Sequence, residues 1–596
     1  MNWETFRTEL KLNETQLKPI LDAIHHFKDQ YTQLCMDPAE NGGKSPIEYA
    51  AELHISFLHM MPDAFGKKFF SYFSQEKNSV FKMTYLEKGM QYESATRDKI
   101  YSILGADQIR ILNTLELQSL LDITTGYDPF GDKLTEMISS IRKSMKKNGG
   151  HLFSETFCIL PWVQTFVDVN GEIKLCCYSF EGLKIKGTET TLNFQELTLS
   201  EIWNSVEIRE IRRLMLAGKK VQACSSCDQQ ADLGQEPPRE AYNNKWLSGD
   251  PNHEKWKKRV QDSQQNNYFV SELPVLYDIR PGNICNFKCR MCHADYSILI
   301  KKDPVHSKWV HQSPDNTKSR FSDGIKWYDP RSAVIDELLE NIQETKYFYF
   351  AGGEPLITPF IHKIIDELIE RRMSQNIDLE FSTNLYFYDE KMIDKLNKFN
   401  YTKFMVSIDG FGPVYDYIRY PGKWSTIERN LHNIRRNPKS FYAIIATMQN
   451  YNVLSITALF RFAESLNLSF MVNLLRIPVY LNIRIMPRKA QLLAIQRLQE
   501  FMAGSPMVKK YPHTAATINN VILELEQDSE KLYRSTIEEF IFFTNDLDKS
   551  RQQSFKETVP ELYNFIIEDG YSWTEQLGKS RLKNGWDPTR LNEDNI

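Results

Sequence analysis

No run of about 18 consecutive apolar residues, the least that a membrane-crossing helix needs, occurs in the 596-residue chain. The first residues, Met1-Asn2-Trp3-Glu4-Thr5-Phe6, hold neither a basic patch nor an apolar core, so no secretory signal is expected. Excess charge is missing too. Lys and Arg total 73 against 77 Asp and Glu, a net of -4, which gives no electrostatic footprint for bulk nucleic acid, although a local basic patch stays open. Internal repeats, low-complexity tracts and any cysteine after Cys292 are also absent. The nine cysteines are odd in number and grouped in short motifs, which suits metal ligation in a reducing compartment better than a disulfide framework. A soluble, cytoplasmic protein of several domains is expected, without membrane or nucleic-acid partners.

What is there centres on Ile284-Cys285-Asn286-Phe287-Lys288-Cys289-Arg290-Met291-Cys292, where three cysteines stand at CxxxCxxC spacing. Three thiolates on one short loop leave one iron of a cubane cluster without a protein ligand, open to a small molecule. A zinc site with His293 as fourth ligand is the alternative.

Upstream, residues 1–150 read as a helical domain of unknown role, with apolar residues at helical spacing around Ile20, Ile24, Ile100, Leu104 and Leu112. Cys35, His25 and His26 are expected to be ordinary helix residues. The region ends in the basic run Arg142 to Lys147 and a Gly149-Gly150 stop. Residues 151–250 hold Cys158, the strand-like run Pro161 to Val169, Asn170-Gly171, a second run ending in Cys176-Cys177, and Cys224 and Cys227 at CxxC spacing. Asn-Gly between two such runs predicts a two-residue hairpin turn with positive φ at both positions. The hairpin returns Cys176 toward Cys158, so Cys158, Cys176, Cys224 and Cys227 suggest a second metal site, zinc or iron-sulfur, with Cys177 as the alternative to Cys176.

Residues 270–476 alternate strands (275–280, 346–352, 378–384, 403–409, 441–448 and 468–475) with helices, which predicts a parallel sheet curling toward a partial barrel. Polar clusters fall at strand ends, where such folds bind ligands: Gly352-Gly353-Glu354-Pro355, Ser382-Thr383-Asn384 and Ser407-Ile408-Asp409. The last two also serve as turns and helix caps without any function. Residues 295–330 form a long polar insert with Trp309 and Trp327, either functional or a surface excursion. Residues 477–596 read as mainly helical; no chemistry is assigned to Pro478-Val479-Tyr480-Leu481 or to the run Leu547 to Ser554.

The CxxxCxxC loop after a strand, followed by GGEP, resembles the radical S-adenosylmethionine (radical SAM) enzymes. The pattern of Cys158, Asn170-Gly171, Cys176 and Cys224-x-x-Cys227 resembles the auxiliary-cluster module of their SPASM and twitch class, although that module usually follows the core and here precedes it. Met291 also departs from the aromatic residue usual before the last cysteine. The resemblance implies an α/β fold: a partial (β/α)6 TIM-type barrel with a small β-hairpin iron-sulfur module and helical N- and C-terminal regions. It implies a [4Fe-4S] cluster with an open iron on Cys285, Cys289 and Cys292, an auxiliary [4Fe-4S] cluster, and S-adenosyl-L-methionine (SAM), cleaved by one electron to methionine and a 5'-deoxyadenosyl radical that abstracts hydrogen from substrate. Gly352, Gly353, Glu354 and Pro355 correspond to the motif that binds the SAM amino group; Ser382, Thr383, Asn384 and Ser407 to contacts with its ribose and carboxylate. Tyr417-Ile418-Arg419-Tyr420-Pro421-Gly422 resembles a YIRxPG segment in which Arg419 reaches the methionyl carboxylate, a surface salt bridge being the alternative.

A flavodoxin or ferredoxin as reductant and a peptide or protein substrate follow from the resemblance. A small metabolite or sugar, an RNA, and a non-catalytic scaffold with two zinc sites remain alternatives.

Overall fold

The computed structural model describes residues 3–573 apart from 57–61, 116–118, 124, 126, 135, 138–152, 180, 233–236, 251, 311–325, 341 and 435–439. The basic run ending at Gly150 lies outside the described residues. The chain packs as two units: residues 1–159 with 213–221 and 227–265, and residues 160–212 with 222–226 and 266–596. Among the described residues no helix is long and apolar enough to cross a membrane.

In the first unit the N-terminal region is helical, with its longest helix over Glu14–Met36. Asn13 and Gln16 form a capping box at its start, so two otherwise unbonded amides are satisfied locally. Ile20, Ala23, Ile24 and Phe27 then recur on one face and pack with Ile100 and Leu112. His25 bonds Thr125, and Cys35 is fully buried among Leu34, Phe73 and Tyr85.

The second unit is built on one sheet of eight strands in the order β2-β1-β3-β4-β5-β6-β7-β8. Six strands, β3 (Leu276–Ile279), β4 (Tyr347–Phe350), β5 (Asp378–Thr383), β6 (Tyr401–Ser407), β7 (Ser440–Met448) and β8 (Ser469–Leu474), run parallel in chain order, with helices such as Pro359–Glu370, Trp424–Ile434 and Ile456–Ser465 between them. This is the expected (β/α)6 succession. Alternation sorts the faces: Tyr277, Phe348, Phe350, Phe381 and Phe404 form a fully buried row of neighbouring rings, stacked except for the tilted Phe350-Phe381 pair. The other face is polar, carrying Asp278 paired with Arg280 at 3.5 Å and Glu380 paired with Lys403 at 3.1 Å.

The hairpin joins the sheet: β1 (Gln164–Val167) adds to β3 in parallel, and β2 (Ile173–Lys174) pairs β1 antiparallel. Its turn has three residues, because Gly171 at φ 87° bonds back to the Asp168 carbonyl at 2.8 Å, whereas Asn170 is not in the positive-φ region. A type I turn followed by a left-handed glycine makes this loop, so only Gly171 needs the special conformation. The insert is no surface excursion at its tryptophans. Trp309 packs on Phe543 and Tyr480 and bonds Asp546 at 2.9 Å, and Trp327 lies against Phe194 and Phe360. C-terminal helices include Arg488–Gly504, Pro512–Glu526 and Glu530–Arg551.

Arg212 fastens the approach to β1. It is fully buried over the Trp203 ring and donates to Pro161 O at 2.9 Å, Asn204 Oδ1 at 2.9 Å, Tyr268 O at 3.0 Å and Trp203 O at 3.0 Å. Arg212→Ala removes a bond from each of those acceptors, of which Asn204 Oδ1 keeps the Val270 amide, and is expected to cost about 3 kcal/mol, read as a lower urea midpoint. Arg212→Lys should recover only part, since one ammonium cannot span the fork. A loss below about 1 kcal/mol would count against this role.

Candidate functional site

After β3 the chain leaves the sheet at its carboxyl edge and runs without regular structure through Cys292. The loop is held by backbone bonds on several sides. Lys288 N donates to Tyr420 O at 2.7 Å, Arg290 N to Ile418 O at 2.9 Å, Ile298 N to Asn283 O at 2.8 Å and Glu354 N to Ile284 O at 2.7 Å. Ser297 Oγ adds a bond to Phe287 O at 2.7 Å. The segment resembling YIRxPG is therefore a backbone partner of the cysteine loop, a role its residues alone do not disclose.

Cys289 is buried and Cys285 and Cys292 are half-buried. Burial raises all three thiols, and a charge on one is felt by its neighbours. Cys289 is pushed up to about 12 by burial, with Arg419 pulling in the opposite direction. His293, the candidate fourth zinc ligand, accepts the Asp295 amide at Nδ1 (3.3 Å) and faces the Asp295 carboxylate. Among the described residues no group of three or more His, Cys, Asp or Glu forms a site for a single metal ion. A cubane asks instead for one thiolate per iron, and a set of three thiols fits it with one iron left over.

The Gly352-to-Pro355 turn meets this loop at very close range. A Cβ on Gly353 would lie 2.1 Å from Ile284 O, so only glycine admits the Glu354-Ile284 bond. The Glu354 carboxylate, 1% exposed, accepts from Thr383 Oγ1 at 2.5 Å, Asn384 N at 2.7 Å and Leu356 N at 3.1 Å. Burial nonetheless raises its pKa. Asn384 Nδ2 goes on to Asn286 Oδ1 at 2.8 Å, inside the cysteine loop. The GGEP and Ser382-Thr383-Asn384 motifs are thus one hydrogen-bonded unit, whose hub is a carboxylate already supplied with three donors. Ser382 and Ser407 sit near the ends of β5 and β6, half-buried, and Pro355 opens the short helix Pro355–Ile357.

Arg419 is in a buried, not a surface, salt bridge: its Nε donates to Asp409 Oδ2 at 2.7 Å, and Asp409 Oδ1 accepts Thr447 N at 2.7 Å. Sequence reasoning misses this partner, because Asp409 stands out there only as a strand end. It names the run from Leu547 to Ser554 but attaches no role to it. Arg290, fully buried on the Tyr417 ring at 3.6 Å, reaches Asp548 at 2.5 Å and Gln553 at 3.0 Å, and Tyr417 OH bonds Asp548 at 2.7 Å.

Of the auxiliary cysteines, Cys158 and Cys227 belong to the first unit, and Cys176, Cys177 and Cys224 to the second. In the first, Asn243 grips both neighbours of Cys158, donating to Phe157 O and accepting from Ile159 N at 2.8 Å each. Cys227 adjoins the buried Asp228-Arg239 pair. In the second, Ser179 draws Cys176 and Cys224 toward each other: its N bonds Cys176 O at 3.1 Å and its Oγ bonds Ala223 O at 2.8 Å. Cys177 is exposed.

Residues 279–463 match the family model of the radical SAM superfamily, and residues 158–228 that of the SPASM iron-sulfur cluster-binding domain. A radical SAM domain implies a [4Fe-4S] cluster and SAM, and a SPASM domain implies auxiliary iron-sulfur clusters. None of the curated proteins matches. Among solved structures, hexahistidine-tagged anSMEcpe with bound AdoMet is similar at 20% identity and TM-score 0.28, over 38% of this chain and 57% of that one. Native anSMEcpe with AdoMet and Cp18Cys peptide is 17% identical over 38% and 60%, TM-score 0.27. SuiB of Streptococcus suis bound to precursor peptide SuiA is 14% identical over 52% and 68%, TM-score 0.29. The chain thus spans 57% of the length of the first of these.

Gly353→Ala is expected to part the GGEP turn from the cysteine loop and, by a displacement on the order of 1 Å, to slow SAM cleavage by about 100-fold. Counting 5'-deoxyadenosine per iron checks this; cleavage within about twofold of wild type would show that the close approach is dispensable. With three thiols suited to an open cubane at the carboxyl edge of a six-strand parallel succession, residues 279–463 are read as a radical SAM domain and residues 158–228 as a SPASM iron-sulfur cluster-binding domain, the two families whose models they match.

Proposed function

We propose that this enzyme abstracts hydrogen from a peptide or protein and so modifies it after translation. The observation that carries the reading is the joining of the cysteine loop, GGEP and Thr383-Asn384 at one sheet edge through the bonds of Glu354 and Asn384. Cys285, Cys289 and Cys292 would hold the catalytic cluster; Gly352 to Pro355, Ser382 to Asn384, Ser407 and Arg419 would hold SAM. Cys158, Cys176, Cys224 and Cys227 would hold the auxiliary cluster. Bound there, cluster and SAM supply the 5'-deoxyadenosyl radical. The protein's part is positioning: Glu354 fixes the Thr383 hydroxyl and the Asn384 amide, and Asp409 orients the Arg419 guanidinium, a shape suited to carboxylates.

A flavodoxin or ferredoxin of the cytoplasm would deliver the electron, and residues 1–150, 151–250, 270–476 and 477–596 would serve as helical domain, auxiliary module, core and helical C-terminal region.

Anaerobic iron and sulfide counts with electron paramagnetic resonance (EPR) test the cofactors. About eight irons are expected in wild type and about four in the triple alanine variant at Cys285, Cys289 and Cys292. A SAM-perturbed signal should appear in wild type only, and Cys289→Ala should reduce SAM cleavage to background; retained cleavage overturns the ligand assignment. Deuterium passing from a labelled peptide into 5'-deoxyadenosine supports the substrate class. Transfer only from a small metabolite or sugar would overturn it.

A further inference from the structure

Four cations crowd the cysteine loop, and the carboxylates that answer them come to three. Lys288 pairs with Asp303 at 2.6 Å, Arg290 with Asp548 at 2.5 Å and Arg419 with Asp409 at 2.7 Å. The fourth is Arg551, at the end of the helix Glu530–Arg551, and among the described residues it has no carboxylate partner. It is 6% exposed, lies 5.1 Å from the centre of the Tyr420 ring, and gives one nitrogen to His306 Nδ1 at 3.0 Å. Its Nε and Nη1 are buried and unbonded, as is Nη1 of Arg290.

An uncompensated buried guanidinium is costly, and the cost is removed only by a nearby negative charge. The Tyr420 ring that Arg551 covers also lies 5.4 Å from Lys288 Nζ, and the Tyr420 carbonyl binds the amide of Lys288, one residue before Cys289. Burial and the Arg290 charge lower the pKa of Arg551 to about 10, against the opposing pull of Asp303 and, more weakly, of Cys289, although among the described residues no carboxylate pairs with it directly. A [4Fe-4S] core held by the three thiolates would supply negative charge there, since it would carry a net negative charge that grows by one on reduction. His306 does not supply it: burial and the nearby cations hold its pKa well down, so it stays neutral.

We propose that Arg551 is the protein's countercharge to the catalytic cluster, a buried cation delivered from the C-terminal region that stabilises the reduced form and sets the potential at which it accepts its electron. This rests on the assignment of the cluster to Cys285, Cys289 and Cys292. The surrounding charges share the task with opposite signs. Asp303, which accepts from Lys288 Nζ and from the amides of Val305 and His306, offsets one cation.

The test is an EPR-monitored redox titration of the reconstituted full-length chain without SAM. Arg551→Met keeps most of the volume and removes the charge; the ratio of reduced to oxidised cluster at fixed potential is expected to fall about tenfold, a shift of about 59 mV to more negative values. Arg551→Lys should stay with wild type. Asp303→Asn, which frees the charge of Lys288, should shift the potential the other way, and it carries the test alone if Arg551→Met fails to hold a cluster. An unchanged potential in Arg551→Met with full iron content overturns the proposal. So does an Arg551→Lys shift as large as that of Arg551→Met, or an unmoved Asp303→Asn. A wild type that binds no iron at all would instead overturn the cluster assignment.

Discussion

A carboxylate sealed from water has to be fully bonded, and Glu354 meets that demand in a way that assembles the site. Its two oxygens take the Thr383 hydroxyl and the amides of Asn384 and Leu356, while its own amide holds the Ile284 carbonyl just before Cys285. Together these bonds join three pieces of chain: the cysteine loop, the turn after β4 and the end of β5. Loss of any one leaves a buried polar group unbonded, at about 1–3 kcal/mol, so the three pieces are held as one arrangement. The near-contact between two backbones is made possible by having glycine at 353. The same carboxylate has little left to offer a ligand, which shifts ligand contact in this turn to the groups that it positions.

Around that hub the loop is enclosed by charge rather than by apolar packing alone. Arg290, between two of the cysteines, is fully buried on Tyr417 and ends on Asp548, more than 250 residues away in sequence. Buried ion pairs of this kind contribute little net stability, because desolvation offsets the Coulomb gain. Their effect is on geometry and field. Arg290 and Asp548 tie the C-terminal helix Glu530–Arg551 to the loop, and Arg551 at its end lies over the Tyr420 ring and bonds His306.

How much of this can be read from sequence follows from the range of the interactions. The six core strands are legible because each is an apolar or alternating run closed by a polar cluster, and such periodicity is a local property; the expected Phe441–Met448 and the observed Ser440–Met448 differ by one residue. The hairpin is legible for the same reason, but its turn type is not, since Asn170-Gly171 fits both a two-residue turn and the second half of a three-residue one. Side-chain partners are least legible. Arg419 suits a ligand carboxylate on chemistry alone, and nothing local marks Asp409 as its mate. Asp548 and Arg551 stand in a charged stretch to which the sequence attaches no chemistry, because what they touch lies on a loop encoded far upstream.

The place of the hairpin strand explains how an iron-sulfur segment can precede the core in sequence. A parallel sheet built in chain order leaves β3 with one free edge, and free edges invite unwanted pairing. A parallel neighbour for β3 requires a long crossover. The chain between Val167 and Leu276 is that crossover, and it contains Cys176, Cys177, Cys224 and Cys227. The segment therefore closes the barrel's first edge with β1, and the two-residue β2 leaves little edge beyond it. At the opposite edge, Thr514 of the helix Pro512–Glu526 bonds the Phe470 carbonyl of β8 at 3.0 Å. Sequence flanking the core on both sides thus supplies its edge protection, which ties the auxiliary cysteines and the C-terminal helices to the integrity of the same sheet that carries the cysteine loop.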